Sequence, residues 1–510
     1  MLSCDGLSPW KPRVHLAVLA MCLVLTQPVF AMSWSLVLQQ GQFDLALPDI
    51  HSGGWSFTGL HADVVTAVDA DNNVARIRFK PGSRLRAARI VQNIAGNGLQ
   101  LNDVRVDLTD VTLTVDLDTP GTLPERSSIT GQVAVDIGAL HHPTLNALGW
   151  QFDGTVRGPL SDVRVAGQLR ADSGLTAEVA ARHRMGTFLV ANVMMALGGG
   201  QGTKAMAATF VDWPGSLELS AGQIQLEARV HQAPGQPLAV HGQLDFDGVG
   251  GLIDRTAVSG LNGRLLVSLE QDALVARARD VVIGQINSGI GIGPVRVLAV
   301  YRAPRTELAA GVLDIQQATA GFLDGRLRVA PGSFDLARQP WRLPIDVYEV
   351  SLARLLQVYP TEGLTGSGTL SGRVPLKVSG SGVEVELGRV SAMAPGGLLR
   401  LPAERLQAML GSSQAMELVV EALQNFHYSV LDSTIDYDNT GKLVLGLRLE
   451  GENPDVRGGQ PVVLNINLEE DIPALLTSLQ LSGRVNEAVT ERVRERLQQS
   501  GQKSGQETVP

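Results

Sequence analysis

Apolar and polar residues alternate with a period of two along most of this 510-residue chain. The alternation is clear in ITGQVAVDI (129–137), in QIQLEARV (223–230) and in LVLGLRL (443–449). Because successive side chains of a strand point to opposite faces, this pattern predicts strands with one apolar and one polar face. The sequence therefore predicts an all-β protein of about 25 strands.

Glycine marks the ends and bends of these predicted strands. It accounts for 56 residues, more than the usual share of about 7 per cent, which favours short elements separated by turns. A loose unit of glycine and two alternate apolar residues returns at irregular intervals, as in GQVAV at 131 and GQLDF at 242. The phase of the alternation slips between Leu108 and Val111, which predicts a bulge or a new strand there.

Helical patterns are few and lie mainly in the last third of the chain. The clearest has apolar residues at four-residue steps, with charged residues around them. This C-terminal stripe consists of Val485, Val489, Val493 and Leu497. The helix that carries this stripe is predicted from Arg484 to Gln499, and the tail after it is expected to be disordered. The other predicted helices are Leu352 to Tyr359, Pro402 to Phe426 (two helices divided near Gly411) and Ile472 to Leu481.

Residues 1–31 have the layout of an export signal. Lys11 and Arg13 precede an apolar run from Leu16 to Leu25, and the small residues Val29 and Ala31 suit the minus-three and minus-one positions of a cleavage site. An uncleaved N-terminal anchor is the alternative, although Pro28 interrupts the apolar stretch. Either interpretation places the body of the chain outside the cytoplasm.

Composition limits the chemistry that is available. Both cysteines, Cys4 and Cys22, fall in the leader, so the remaining chain has neither disulfides nor thiol chemistry. The formal charge of -9 argues against a nucleic-acid partner.

Three stretches resemble enzyme or metal motifs, and each lacks a required residue. GGGQGTK (198–204) has Gly-Thr-Lys where a phosphate loop needs Gly-Lys-Ser/Thr, and a flexible loop is expected instead. The run from Asp436 to Gly441 resembles a calcium loop, but its twelfth position is Leu447, so a hairpin turn is predicted. His141-His142 lacks metal-ligand spacing and is assigned to an exposed turn. The sequence predicts no catalytic residue, no metal and no cofactor.

The C-terminal half resembles the YdbH-type proteins of the wider AsmA-like group, which includes the TamB-like proteins. The resemblance covers roughly residues 240–490 and weakly includes GGWSFTGL at 53–60. The motifs that carry it, in order, are NSG at 287, GLTGSGTLSGRVPL at 363, APGG at 394, NFHY at 425, LDS at 431, GLRLEGENPD at 446 and LNINLEE at 464.

The resemblance implies a long twisted β-sheet that forms an elongated groove in the Gram-negative cell envelope. Such a protein would carry phospholipid between the inner and outer membranes, would have no catalytic residues, and could act with a small outer-membrane lipoprotein. A structural or assembly scaffold of the envelope is the alternative function, and an older family label, dicarboxylate transport, is a second one.

The predicted organisation has four parts. Residues 1–31 are the signal or anchor, 32–240 an N-terminal β-rich part of the groove, 241–490 the YdbH-type domain, and 491–510 the helix end and tail. The C-terminal stripe is expected either to cap the last strand or to dock on a partner. A candidate lipid-contacting wall consists of Leu443, Leu445, Leu447 and Leu449.

Overall fold

The structure of this chain is a computed structural model. It describes residues 34–471 except 53, 93–97, 212, 214–216, 254–255, 271–272, 288–289, 309, 359–362, 380–381, 402–413 and 457. The export signal, the C-terminal stripe, the tail and the helix predicted at 472–481 lie outside the described residues.

The described residues form one antiparallel sheet of 30 strands, which confirms the predicted all-β class. The strands are β1 Ser35–Ala46, β2 Ile50–Ser52, β3 Trp55–Thr58, β4 His61–Asp71, β5 Val74–Phe79, β6 Arg84–Gln92, β7 Gln100–Asp107, β8 Thr112–Asp116, β9 Ser127–His142, β10 Leu145–Pro159, β11 Asp162–Ala171, β12 Thr176–Arg184, β13 Phe188–Gly198, β14 Leu217–Gln232, β15 Ala239–Ile253, β16 Thr256–Glu270, β17 Ala273–Asn287, β18 Gly291–Ile292, β19 Val295–Pro304, β20 Val312–Phe322, β21 Gly325–Val329, β22 Gly332–Asp335, β23 Trp341–Ser351, β24 Thr365–Ser367, β25 Thr369–Ser379, β26 Gly382–Ala392, β27 Gly397–Arg400, β28 Phe426–Tyr437, β29 Lys442–Glu452 and β30 Val462–Asp471.

Most strands pair with the strand that follows them in the chain. From β9 to β17 every strand is hydrogen-bonded to its sequence neighbour, which makes this part a simple meander. Short strands share one position in the sheet: β7 and β8 lie end to end along β9, as do β21 and β22 along β20. The phase slip at Leu108 to Val111 is therefore the break between two strands.

Four helices accompany the sheet in the described residues: α1 Leu123–Arg126, α2 Gly199–Thr209, α3 Leu352–Val358 and α4 Gln414–Leu423. The helix α3 confirms the prediction at 352–359, and α4 lies in the second helix predicted within 402–426. The first of those two lies mostly outside the described residues.

The loop predicted at Gly198 to Lys204 is wrong, because α2 begins at Gly199. Its glycines are poor helix formers, and tertiary contacts fix the segment. The Thr203 hydroxyl bonds both backbone groups of Leu219, accepting from its N–H at 3.0 Å. Ala205 packs into a cluster with Trp150, Ala171 and Leu175.

The hairpin predicted in place of a calcium loop is confirmed. The strands β28 and β29 are joined by residues 438–441, and one carboxylate oxygen of Asp438 accepts hydrogen bonds from the backbone of Thr440 and Lys442. These bonds, together with one from the Thr440 hydroxyl, hold the pKa of Asp438 below its usual range. The turn predicted at His141-His142 begins one residue later, at Pro143, because both histidines are the last residues of β9; the His142 ring contacts the Thr144 hydroxyl.

The main hydrophobic core lies at the C-terminal end of the sheet. There α3 and α4 cover the strands, and Phe426 and Tyr428 are almost completely buried. The Tyr428 hydroxyl donates to the Ser367 carbonyl oxygen at 2.7 Å, and burial raises the pKa of this phenol. The other members of this packed end are Val350, Leu352, Leu370, Val390, Leu399, Val420, Ala422, Leu423, Leu431, Leu449 and Leu464.

The strand count predicts an elongated particle in solution. About twenty strand positions, spaced by ~4.8 Å, give a sheet roughly 100 Å long. Small-angle scattering should therefore report a radius of gyration well above the value of about 24 Å for a compact globule of this length. A radius near that compact value would contradict the extended sheet.

Candidate functional site: an uncovered apolar track

Residues of one face line up into apolar rows that cross the strands. A row forms because residues paired on neighbouring antiparallel strands point to the same face of the sheet. We call three adjacent rows, which cross β9 to β20 and its partner β22, the apolar track. The middle row is Val133, Gly154, Gly167, Val179, Val193, Ala228, Gly242, Val267, Ala276, Tyr301, Leu313 and Phe334.

The two flanking rows are equally free of charge. One of them runs Gly131, Val156, Val165, Ala181, Ala191, Val230, Val240, Leu269, Leu274 and Ala303. The other contains Val135, Phe152, Leu169 and Ala177 and, further along, Leu226, Leu244, Leu265, Ala278, Ala299 and Ile315. The track therefore offers an unbroken hydrocarbon surface at right angles to the strands.

The track is sheltered without being covered by a second layer. Every residue of its middle row is half-buried, whereas Glu178, Glu227 and Arg229 on the opposite face are exposed. Of the helices described here, α1 contacts β8, β9 and β10. The helix α2 packs on β10, β13 and β14 through the Trp150 cluster, against which Leu169 of the track also packs. An apolar sheet face in water normally packs against another layer, so this one is unusual for a soluble domain.

Two facing glycines bring the strands of the track close together. Gly154 and Gly167 lie directly opposite each other on β10 and β11. A Cβ atom on Gly167 would be 2.2 Å from the carbonyl oxygen of Asp153, closer than two such atoms can approach. The aromatic ring of Phe152 lies over Gly154, since a Cβ there would meet this ring at 2.6 Å. The pair thus leaves room for Phe152 on the apolar face.

The opposite face, called here the outer face, is polar and carries ion pairs between strands. Arg264 bonds Asp245 at 2.7 Å, and Arg302 bonds Asp314 at 2.5 Å. Hydrogen bonds from the Gln243 side chain and from Arg264 hold the pKa of Asp245 below its ordinary value. The lowered pKa keeps Asp245 ionised at neutral pH, and such charged pairs keep the outer face solvated while the track faces away from it.

The predicted wall on β29 spans two environments. Leu449 is 3% exposed and belongs to the packed end, beneath the helices. Leu443, Leu445 and Leu447 are half-buried on the same face and pair with Tyr437, Ile435 and Ser433 of β28. Their contact with lipid stays a prediction, and the C-terminal stripe (Val485, Val489, Val493 and Leu497) lies outside the described residues.

The sequence interpretation missed the longer central track. Its signal was available, because Ile224, Leu226 and Ala228 alternate as clearly as the leucines of β29. Alternation within one strand does not reveal the pairing register between strands. The register decides whether the apolar positions of neighbouring strands meet in one row. Within the described residues, no group of three or more His, Cys, Asp or Glu is placed to hold a metal ion.

The fold and the track define a class: an elongated all-β protein built around an open apolar surface. The chain belongs to the YdbH-like family, because the family model described as "Intermembrane phospholipid transport protein YdbH" matches residues 2–494. The match extends the resemblance from the C-terminal half to nearly the whole chain. Searches of curated proteins and of solved structures find no match.

Family membership assigns the chain to intermembrane phospholipid transport in general, and to the cell envelope. The family description names a transport protein. In the part of the chain that the structure describes, no helix is both long enough and apolar enough to cross a bilayer.

Proposed function

We propose that the apolar track is the inner wall of a groove that carries the acyl chains of phospholipids between the inner and outer membranes. The observation that supports this most directly is the continuity of the track, which crosses twelve strands without a charged residue in its middle row. Moving hydrocarbon from water onto such a surface gains about 0.8 kcal/mol per methylene group.

The partial shelter of the track supports a concave face. On a flat sheet without a second layer, valines such as Val179 and Val193 would be largely exposed. They are instead half-buried, whereas their outer-face neighbours Glu178 and Met194 are exposed, which fits a sheet that curves toward the track. A curved apolar trough shields acyl chains from water while the head groups remain solvated.

Apart from the phenol of Tyr301, which donates to the Leu308 carbonyl oxygen, the rows contain no polar side chain that could select a head group. The track thus suits lipids of many head-group types, in contrast to a site built from placed hydrogen-bond donors. An uncovered apolar face favours a carrier over an envelope scaffold, because a scaffold has no need of such a face.

We place the proposed partner at the C-terminal end of the sheet. The last described strand, β30, pairs with β29 and with no other described strand. The C-terminal stripe follows it in sequence. We keep both of its proposed roles, as a cap on this edge or as a docking element for a small outer-membrane lipoprotein.

Photo-crosslinking tests the track in living cells. A photoreactive amino acid at Val193, in the middle row, should crosslink to phospholipid because its side chain contacts the passing acyl chains. The matched control is Met194, the next residue, which points to the outer face and is 50% exposed. Mass spectrometry of the purified adducts reads out the lipid. Equal labelling at both positions, or none at Val193, would favour the scaffold.

A further inference from the structure

A row of three arginines crosses the outer face near one end of its strands. Arg157 on β10 pairs with Arg164 on β11, which in turn pairs with Arg182 on β12. Like charges placed directly opposite each other on neighbouring strands are destabilising. The row therefore needs a source of negative charge, and the chain as a whole is acidic, with a formal charge of -9.

The carboxylate of Asp162 neutralises charge at only one end of this row. Asp162 accepts a hydrogen bond from Arg182 at 2.5 Å and another from Arg184 at 2.8 Å. These bonds hold the pKa of Asp162 far below its ordinary value, so it stays ionised and keeps both guanidinium groups in place. In the described part of the chain, Arg157 and Arg164 have no ion-pair partner and are exposed.

The arginine row borders a cavity of about 420 Å³ on the outer face. Small apolar residues, Ala166 and Ala180, belong to its lining and leave space beside the guanidinium groups. Phe188 forms a wall, and its ring centroid lies 5.7 Å from the Arg182 guanidinium carbon and 5.4 Å from that of Arg184. The site thus combines several cationic donors with an apolar lining.

We propose that this pocket binds a phosphate group, carried either by a lipid head group or by a soluble phosphate. A tetrahedral phosphate offers oxygens in several directions and can accept hydrogen bonds from guanidinium groups on different strands. A carboxylate has two oxygens in one plane and satisfies one such fork. The apolar lining suits the organic part of a phosphate ester. The pocket lies on the face opposite the apolar track, so it goes beyond the proposed acyl-chain groove.

Titration calorimetry on the purified full chain tests the proposal with three probes: inorganic phosphate, glycerol 3-phosphate and dihexanoyl phosphatidic acid. The Arg157→Gln/Arg164→Gln variant should weaken binding about tenfold or more, because two charge-assisted contacts are lost. Phosphate should also raise the melting temperature of the wild-type chain and not that of the variant. Tighter binding of the short-chain lipid than of inorganic phosphate identifies a head group as the source if the Arg157→Gln/Arg164→Gln variant loses that difference, and equal binding identifies a soluble phosphate.

The matched control removes the same charge from the same face. Arg296 and Arg328 are exposed outer-face residues outside the pocket, and Arg296→Gln/Arg328→Gln should bind phosphate within about twofold of wild type. Equal losses in both double variants would reduce the effect to net charge and overturn the site. So would a wild-type chain that binds none of the probes. A track variant such as Leu265→Asp should keep phosphate binding, which separates this proposal from that of the groove.

Discussion

Leu265→Asp is expected to reduce the phospholipid bound per chain by about tenfold or more, because it places a carboxylate on the surface that should contact the acyl chains. Leu265 lies on β16 in the apolar track, between Leu244 and Ala278 of the neighbouring strands. Since its side chain is half-buried without a covering layer, the aspartate can reach water when lipid is absent. The sheet should therefore remain folded. Native mass spectrometry measures the bound lipid, and thermal melting of the same sample reports the fold.

The next residue along the strand provides the control. Leu266 is also half-buried, but it faces the outer surface between Gln243 and Arg277. Leu266→Asp should keep wild-type lipid, because its carboxylate joins polar neighbours. If both variants lose lipid to the same extent, the track has no special role. If Leu265→Asp unfolds the chain, this row is ordinary core.

Phe426→Ala is expected to destabilise the packed end by about 3–5 kcal/mol. Phe426 is completely buried at the start of β28, within the cluster that joins α4 to the sheet. Truncating it removes buried surface and leaves a cavity that rigid strands on both sides cannot fill. Urea denaturation followed by circular dichroism measures the lost free energy of unfolding.

The same measurement on Val463→Ala supplies the reference. Val463 is 57% exposed on β30, so its truncation should change the free energy of unfolding by less than about 0.5 kcal/mol. A small effect of Phe426→Ala, comparable with that of the reference, would contradict a packed core at this end of the sheet.

Much of this fold can be read from the sequence, because alternation is a local property. Ile129, Val133 and Val135 already reveal which side of β9 is apolar, and the turn at Asp438 to Gly441 follows from its residue types. Local patterns also identified α3. They did not identify α2, whose glycine-rich start becomes helical only through contacts with Leu219 and Trp150, residues far from it in sequence.

Features that depend on pairing between strands could not be read in this way. Nothing in the sequences around Arg157, Arg164 and Arg182 states that they meet in one row, since a shift of one residue would place them on different faces. The same applies to the β29 leucines. Their spacing is uniform, yet Leu449 lies beneath helices while Leu443 does not, because the cover comes from α4, elsewhere in the chain.

Because β9 to β17 form a meander, the length of the sheet can change by one hairpin at a time. From β10 to β16 each strand pairs only with its two sequence neighbours, so a hairpin such as β15–β16 could be removed and β14 joined to β17 with the faces still matched. Each hairpin gained or lost would change the length by about 10 Å. The length of the sheet can thus change by duplication or deletion of hairpins, while the strands at its two ends stay unchanged.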